Sequence, residues 1–141
     1  MRRVNKLHNI PTVVDGIRFA SRLEARRYSE LKLLEKAGEI TDLRWQVPFE
    51  LIPAQYEIIT TDEVYTRGPH KGEHKKKKIL LEKPVCYIAD FVYKRRKEVS
   101  NGLELWYTIV EDTKGIKTKD YIIKRKLMLY IHEIKIQEVT R

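Results

Sequence analysis

The chain has 141 residues and a formal net charge of +9, which arises from 29 lysines and arginines against 20 aspartates and glutamates. Its length suits one domain with a single core, and the basic balance favours a polyanionic partner, nucleic acid in the first place, over a merely soluble lysine-rich surface. The single cysteine excludes an internal disulfide framework and fits a reducing cytoplasm, and neither a zinc-type Cys/His spacing nor a long apolar segment for a signal peptide or membrane span is present.

The N-terminal part predicts an arm, a tight turn and a helix. Residues 1–14 read as a basic arm, and Asp15-Gly16 between short apolar stretches predicts a hairpin turn. A helix is predicted over 21–37, because Ser21 is a good N-cap, Glu24 occupies the third position of a capping box, and apolar residues follow at helical spacing.

The middle of the chain combines a strand with a polar segment. Leucine, tryptophan and valine alternate before Pro48, and this proline predicts an edge strand or a bulge, because it cannot donate a ladder hydrogen bond. Residues 61–78 contain a Gly-Pro pair and another glycine and end in four lysines, which predicts a long flexible basic loop.

The C-terminal half predicts a hairpin, a helix and a last strand. Asn101-Gly102 separates two strands rich in β-branched and aromatic residues. Thr118 caps a helix in which Ile123, Leu127 and Tyr130 are expected on one face, and residues 134–139 form a short strand. The order predicts one α/β domain, 1–141, with a mixed sheet.

Asp90 interrupts an otherwise apolar strand. Strand alternation puts it on the face of Ile88 and Val92, where a lone carboxylate is desolvated. The alternative is a strand end that emerges into solvent, or an ion pair with Lys94 or Arg95.

A second group of charges ends the next strand. Asp112 and Lys114 are two residues apart and share a face, while Glu111 points to the other. Because the Asn101-Gly102 turn makes the two strands neighbours, Asp90 and Asp112 together form a hard-ligand set suited to magnesium. An ordinary ion pair between Asp112 and Lys114 is the alternative.

Glu24 aligns with Tyr28 and Leu31 on the predicted helix, so its side chain is expected to face inward. It is equally the capping-box acid after Ser21. The sequence leaves both interpretations open.

These residues in this order resemble the PD-(D/E)XK nuclease superfamily over nearly the whole chain. The stretches "DGIRFASRLEARRYSELKLLEKAGEI", "YIADFVY" and "VEDTKG" look like a small phage- and prophage-associated family of that superfamily, long labelled as of unknown function and suggested to be Holliday-junction-resolvase-like. The resemblance implies a restriction-endonuclease-like core: a helix, a three-stranded antiparallel meander, a second helix and a further strand.

The resemblance also implies roles. Asp90 matches the first metal-binding aspartate, Asp112 the acid of the second motif, Lys114 its lysine and Glu24 the helix glutamate. Mg²⁺ or Mn²⁺ is expected on Asp90 and Asp112, with the Thr113 backbone carbonyl as a further ligand and Glu111 as a substitute for Asp112. Ala89 stands where the motif has proline, and Asp112 where glutamate is commoner.

The predicted function is that of a metal-dependent DNA endonuclease selective for Holliday junctions or other branched DNA, acting as a homodimer in phage recombination or replication in a bacterial host cytoplasm. An exonuclease or nickase of the same fold and a catalytically silent DNA-binding module are the alternatives. Basic side chains that repeat along the chain are expected to contact DNA phosphates: Arg26, Arg27, Lys75, Lys76, Lys77, Lys78, Lys117, Lys119 and Lys124.

Overall fold

The structure, a computed structural model, describes residues 9–99 and 101–140. The elements in chain order are β1 (Thr12–Val14), β2 (Ile17–Phe19), α1 (Arg22–Lys36), β3 (Ile40–Ile52), β4 (Gln55–Val64), β5 (His74–Glu82), β6 (Val85–Val99), β7 (Leu103–Thr113), α2 (Lys119–His132) and β8 (Gln137–Val139). No helix in the described ranges is long and apolar enough to cross a membrane.

A four-stranded mixed sheet with the order β3-β6-β7-β8 forms the centre of the fold. Strands β6 and β7 are antiparallel, and β8 joins β7 in parallel. The predicted α/β class with a mixed sheet is confirmed. So is the edge position of the strand that contains Pro48, since β3 has a neighbour on one side only.

The predicted turns and caps are found in the structure. Asp15 and Gly16 both have positive φ, as do Asn101 and Gly102, which matches the mirror-image turns that join tight hairpins. The Ser21 hydroxyl accepts a hydrogen bond from a backbone N–H of α1, and Thr118 does the same for α2. Both helices therefore begin where the sequence predicts.

The core lies between α1, the hairpin of β1 and β2, and the strands β3, β6 and β7. Helix α1 buries Ala25, Tyr28 and Leu31, as its spacing predicts. The core is completed by Phe19, Ile40, Phe91, Tyr93 and Ile109.

The predicted buried face of α2 is wrong. Its buried residues are Tyr121 and Met128, whereas Ile123 and Tyr130 are exposed. The buried stripe was hidden in the sequence because it includes Arg125, whose guanidinium is used in an ion pair with Glu138.

The chain divides into two compact units. One contains the described residues up to Phe49 and from Ile88 onward, and the other is Glu50–Tyr87. The boundaries of these units fall within β3 and β6, and no linker in the sequence marks them.

Two predicted segments need correction. Of the basic arm 1–14, residues 1–8 lie outside the described ranges, while Thr12–Val14 belong to a strand and not to an arm. The flexible loop 61–78 was predicted too long: β4 runs to Val64 and β5 begins at His74, so Lys75, Lys76, Lys77 and Lys78 lie in a paired strand. The lysines obscured this strand because they interrupt its apolar pattern.

Candidate functional site

The two predicted aspartates come together where the paired stretch of β6 and β7 ends, beside Phe91 and Glu111. Phe91 lies opposite Glu111 in the antiparallel register, so the next residues along the two strands are Asp90 and Asp112. This end of the strands is where the buried face of β6 gives way to solvent, because Val92 is buried and Ile88 is exposed. The structure therefore brings both carboxylates to the point where the sheet emerges from the core.

Asp90 is fixed by Thr113 of the neighbouring strand. The backbone N–H and the side-chain hydroxyl of Thr113 both donate to Asp90 Oδ2, at 2.8 and 2.7 Å. Neither bond requires Oδ1, so the carboxylate is oriented without using both oxygens. The ion pairs with Lys94 or Arg95 that the sequence left open are replaced by these bonds.

Asp112 and Lys114 lie on one face, as their spacing predicts. Lys114 Nζ is 2.9 Å from Asp112 Oδ1. The aspartate side chain is 1% exposed and that of the lysine 26% exposed, so the ammonium connects a buried carboxylate to the surface. Lys114 Nζ also lies 4.5 Å from the centre of the Tyr121 ring, a geometry that stabilises a cation on an aromatic face.

Glu24 is half-buried and caps α1, and its catalytic role stays a prediction. Its backbone N–H donates to Ser21 Oγ at 3.1 Å, and its carboxylate accepts from the Ala20 N–H at 3.3 Å, which caps α1. The pKa of Glu24 is raised, first by burial and then by the negative charge of Asp90, while Lys114 acts in the opposite direction. The helix glutamate thus shares the electrostatic environment of Asp90 and Lys114.

Glu111 is not a substitute for Asp112, and this part of the sequence prediction needs correction. Its carboxylate accepts hydrogen bonds from Nε and Nη2 of Arg27 at 2.5 and 3.1 Å and from the hydroxyl of Tyr93 at 2.7 Å. Strand alternation directs it to the face opposite Asp112, into the core beside α1. Burial, followed by the bond to Glu111, raises the pKa of the Tyr93 hydroxyl, so this hydroxyl remains a donor.

Arg27 is likewise not placed to contact DNA. Its guanidinium is shared between Glu111 and Glu30, and the bond to Glu111 is the main cause of its raised pKa. An arginine that neutralises a fully buried carboxylate cannot leave it without a large energetic penalty. The neighbouring Arg26 is exposed and lines a groove beside Thr113 and Gly115, and its contact with DNA stays a prediction.

Two grooves border the end of β7. One, of about 660 Å³, is lined by residues from the start of α1 together with Thr113 and Gly115. The other, of about 500 Å³, is lined by Lys114, Gly115, Ile116 and Thr118 at the start of α2, and both include Asn9 and Thr113. The end of β7 therefore lies between two open grooves that a polymer backbone could follow.

The lysines of the second helix region differ in availability. Lys117 pairs with Glu138, while Lys119 is exposed and Lys124 half-buried. Among the lysines of β5, Lys75 pairs with Glu63 at 3.1 Å, and Lys76, Lys77 and Lys78 are exposed. Among these lysines, the most accessible to DNA phosphates are therefore Lys76, Lys77, Lys78 and Lys119.

Sequence reasoning missed the hydrogen bonds that hold Tyr121, whose ring contacts Lys114. The Tyr121 hydroxyl donates to Glu138 Oε1 at 2.9 Å, and Arg125 Nη1 reaches the same oxygen at 2.7 Å. The register of β7 and β8 places Glu138 opposite Asp112. The bonds from Lys117 and Arg125 lower the pKa of Glu138 to about 2, which keeps it charged. Only the tertiary structure joins these residues.

The donor set fits a cation that uses few protein ligands. Within residues 9–99 and 101–140, no three His, Cys, Asp or Glu side chains gather closely enough to hold a metal ion by themselves. Asp90 and Asp112 supply two carboxylates. Mg²⁺ is commonly held by one or two carboxylates, and water and substrate phosphates complete its coordination shell. The chemistry of this pair therefore suits Mg²⁺ or Mn²⁺ and does not suit a closed structural site.

Comparison with known proteins gives a family without an assigned activity. No curated protein and no solved structure matches the chain. A family profile described as a protein of unknown function, DUF1064, matches residues 5–141. Since this match covers nearly the whole sequence, the chain belongs to the DUF1064 family.

Proposed function

We propose that the protein is a metal-dependent DNA endonuclease that cleaves branched or otherwise structured DNA. The observation that carries this proposal is the meeting of Asp90 and Asp112 at one strand end, with Lys114 2.9 Å from Asp112 and Glu24 in the same electrostatic environment. Two carboxylates and an ammonium are groups that metal-dependent phosphodiester hydrolysis uses. The adjacent open grooves leave room for a polymer backbone.

The order of elements supports the same proposal. Helix α1 precedes β3, β6 and β7, and α2 leads into β8, which pairs in parallel with β7. This order agrees with that of a restriction-endonuclease-like core if one hairpin, β4 and β5, is inserted between its first two strands. We propose that the chain has this core and that Asp90, Asp112 and Lys114 occupy its catalytic positions.

The chain's own residues would divide the work of hydrolysis. Asp90 and Asp112 would hold Mg²⁺ or Mn²⁺, which supplies charge stabilisation for the phosphate and activation of water. Thr113 keeps the Asp90 carboxylate oriented, and its backbone carbonyl remains a predicted ligand. The Lys114 ammonium stabilises negative charge that develops beside Asp112, and the Tyr121 ring limits the positions the ammonium can take.

The net charge of +9, the exposed Arg26 and Lys119 and the half-buried Lys124 favour DNA as the polymer. Contacts to phosphates position a protein without reading sequence, which agrees with selection of DNA shape. Homodimer formation and a role in phage recombination remain predictions. A two-fold dimer would suit paired cuts at a four-way junction.

The test is cleavage of labelled four-way junction, flap, single-stranded and linear duplex DNA in Mg²⁺, in Mn²⁺ and in EDTA. We expect cuts that need metal, that are strongest on a branched substrate, and that are lost in Asp90→Ala and Asp90→Asn. The asparagine variant keeps an acceptor for Thr113, so a loss of activity there is not a loss of folding. Asp62→Ala, at an exposed position of β4, removes an equal charge and should cleave normally.

Other outcomes of this test separate the alternatives. Shortening from DNA ends, or single nicks alone, would indicate an exonuclease or a nickase and would overturn the junction-selective form of the proposal. Tight binding without cleavage in any metal would indicate a catalytically silent DNA-binding module. Full activity of both Asp90 variants would overturn the assigned site.

A further inference from the structure

The hairpin of β4 and β5 has two faces of different character. Its register pairs Tyr56 with Leu80, Ile58 with Lys78, and Ile59 with Lys77. Because side chains alternate along a strand, the first two pairs share one face and the third lies on the other. The open face consists of Tyr56, Ile58, Thr60, Lys76, Lys78 and Leu80, and the closed face consists of Glu57, Ile59, Lys75, Lys77 and Ile79.

The closed face is balanced in charge and partly covered. Ile59 and Ile79 are half-buried. Lys75 donates to Glu63 at 3.1 Å, and Glu57 shares the face with Lys77. Its two lysines are thus each accompanied by a carboxylate, so this face attracts a polyanion only weakly.

The open face is uncovered and carries positive charge alone. Within the paired stretches Tyr56–Thr60 and Lys76–Leu80, its charged residues are Lys76 and Lys78 and it includes no carboxylate. Ile58 is 68% exposed, and Tyr56 and Leu80 are also exposed. Lys78 Nζ lies 3.9 Å from the centre of the Tyr56 ring, which places an ammonium directly over an aromatic surface.

This combination identifies the chemistry of the occupant. A second copy joined by two-fold symmetry would bring each open face against itself, and Lys76 and Lys78 would meet their own like charges. A DNA duplex offers phosphates to the lysines and base edges to the apolar side chains between them. The major groove of B-form DNA is wide enough to admit a two-stranded β-ribbon.

We propose that the hairpin of β4 and β5 binds duplex DNA through its open face, with Lys76 and Lys78 on phosphates and Tyr56, Ile58 and Leu80 towards the groove. The inference rests on DNA being the substrate of the proposed function. It assigns the contact to one face of the hairpin and not to the lysine run as a whole.

Two double variants test the face directly. Lys76→Ser/Lys78→Ser changes the open face, and Lys75→Ser/Lys77→Ser changes the closed face, with the same loss of charge on the same strand. Affinity for a fluorescent duplex is measured in EDTA over a series of salt concentrations, and thermal unfolding checks each variant. We expect the open-face variant to lose about tenfold or more in affinity and to reduce the salt slope by about two, and the closed-face variant to lose less than about twofold.

Three other outcomes would overturn the inference. Equal losses in both variants would show that net charge alone matters, and no loss in either would remove the hairpin from the DNA interface. A change in sedimentation of the open-face variant, without a change in affinity, would identify the face as a contact between copies. If binding depends on the open face but the protein never cleaves DNA, the inference stands and the nuclease proposal fails. If the protein cleaves DNA but both variants bind it as the wild type does, the nuclease proposal stands and the inference fails.

Discussion

Glu111 and Asp112 are adjacent in β7 and almost equally buried, at 0% and 1% exposure, yet their surroundings differ completely. Glu111 is bound by two nitrogens of Arg27 and by the Tyr93 hydroxyl inside the core. Asp112 is paired with Lys114, which reaches the surface and lines a groove. Burial therefore does not distinguish a structural carboxylate from a candidate catalytic one; the partners and their access to solvent do.

The physical origin of this difference is the alternation of side chains along a strand. Consecutive residues point to opposite faces, so one step along β7 changes the neighbourhood from α1 to Asp90 of β6. The fold can therefore place a buried structural ion pair and a candidate catalytic carboxylate side by side. We expect substitutions of the two residues to affect different properties of the protein.

The largest effect is expected for Asp112→Asn. This change removes one negative charge from the proposed metal site with little change in shape, so cleavage should fall by on the order of 10³-fold. The free energy of unfolding should change by no more than about 1 kcal/mol, because the freed Lys114 ammonium can reach water. Single-turnover cleavage and chemical denaturation measure the two quantities, and a large loss of stability with normal cleavage would contradict the assignment.

Glu111→Gln is the matched substitution on the other face. It leaves the Arg27 guanidinium without its buried carboxylate, which should lower the free energy of unfolding by about 3 kcal/mol. Cleavage by the folded fraction should stay close to that of the wild type. Denaturant unfolding measures the first effect, and an unchanged midpoint would show that the Arg27–Glu111 pair does not stabilise the fold.

A smaller effect is expected at Tyr121, which lies behind Lys114. Tyr121→Leu removes the aromatic face and should reduce cleavage about tenfold, since such a contact contributes roughly 1–2 kcal/mol where water is partly excluded. Tyr121→Phe keeps the ring but loses the hydrogen bond to Glu138, so it should lose about 1 kcal/mol of stability and little activity. Equal activities of the two variants would show that the ring does not position the lysine.

The smallest effect concerns Glu138 and pH. Lys117 and Arg125 lower its pKa from about 4.5 to about 2 in the folded protein. A lowered pKa stabilises the fold above the ordinary value, and this contribution is lost as the pH falls from about 5 to about 2. The difference in unfolding free energy between wild type and Glu138→Gln should therefore shrink over that window, and a constant difference would contradict the ion-pair network.

Much of the local structure could be predicted from the sequence. Ser21 and Thr118 have the side chains that cap helices, and Asp15-Gly16 and Asn101-Gly102 have the backbone freedom that tight hairpins require. The strand that contains Lys75–Lys78 could not be predicted, because its pairing with β4 and not its own apolar pattern defines it.

The candidate site was predictable to the extent that it follows strand periodicity. The common face of Asp112 and Lys114 depends only on a two-residue spacing, and the structure confirms it. The partners of Glu111 and Tyr121 lie far away in sequence, on α1 and β8, and no local pattern reveals them. For this reason, sequence reasoning predicts a DNA contact for Arg27, whereas the structure pairs it with the buried Glu111.

The most direct measurement is the affinity of the metal-free protein for Mn²⁺, followed by the loss of the electron paramagnetic resonance signal of the free ion. Wild type, Asp90→Asn, Asp112→Asn and Glu111→Gln would be compared at a temperature at which all four are folded. We expect wild type and Glu111→Gln to bind alike and both aspartate variants to bind at least about tenfold more weakly. Equal affinity in all four proteins, or a loss confined to Glu111→Gln, would contradict the division between the two faces of β7.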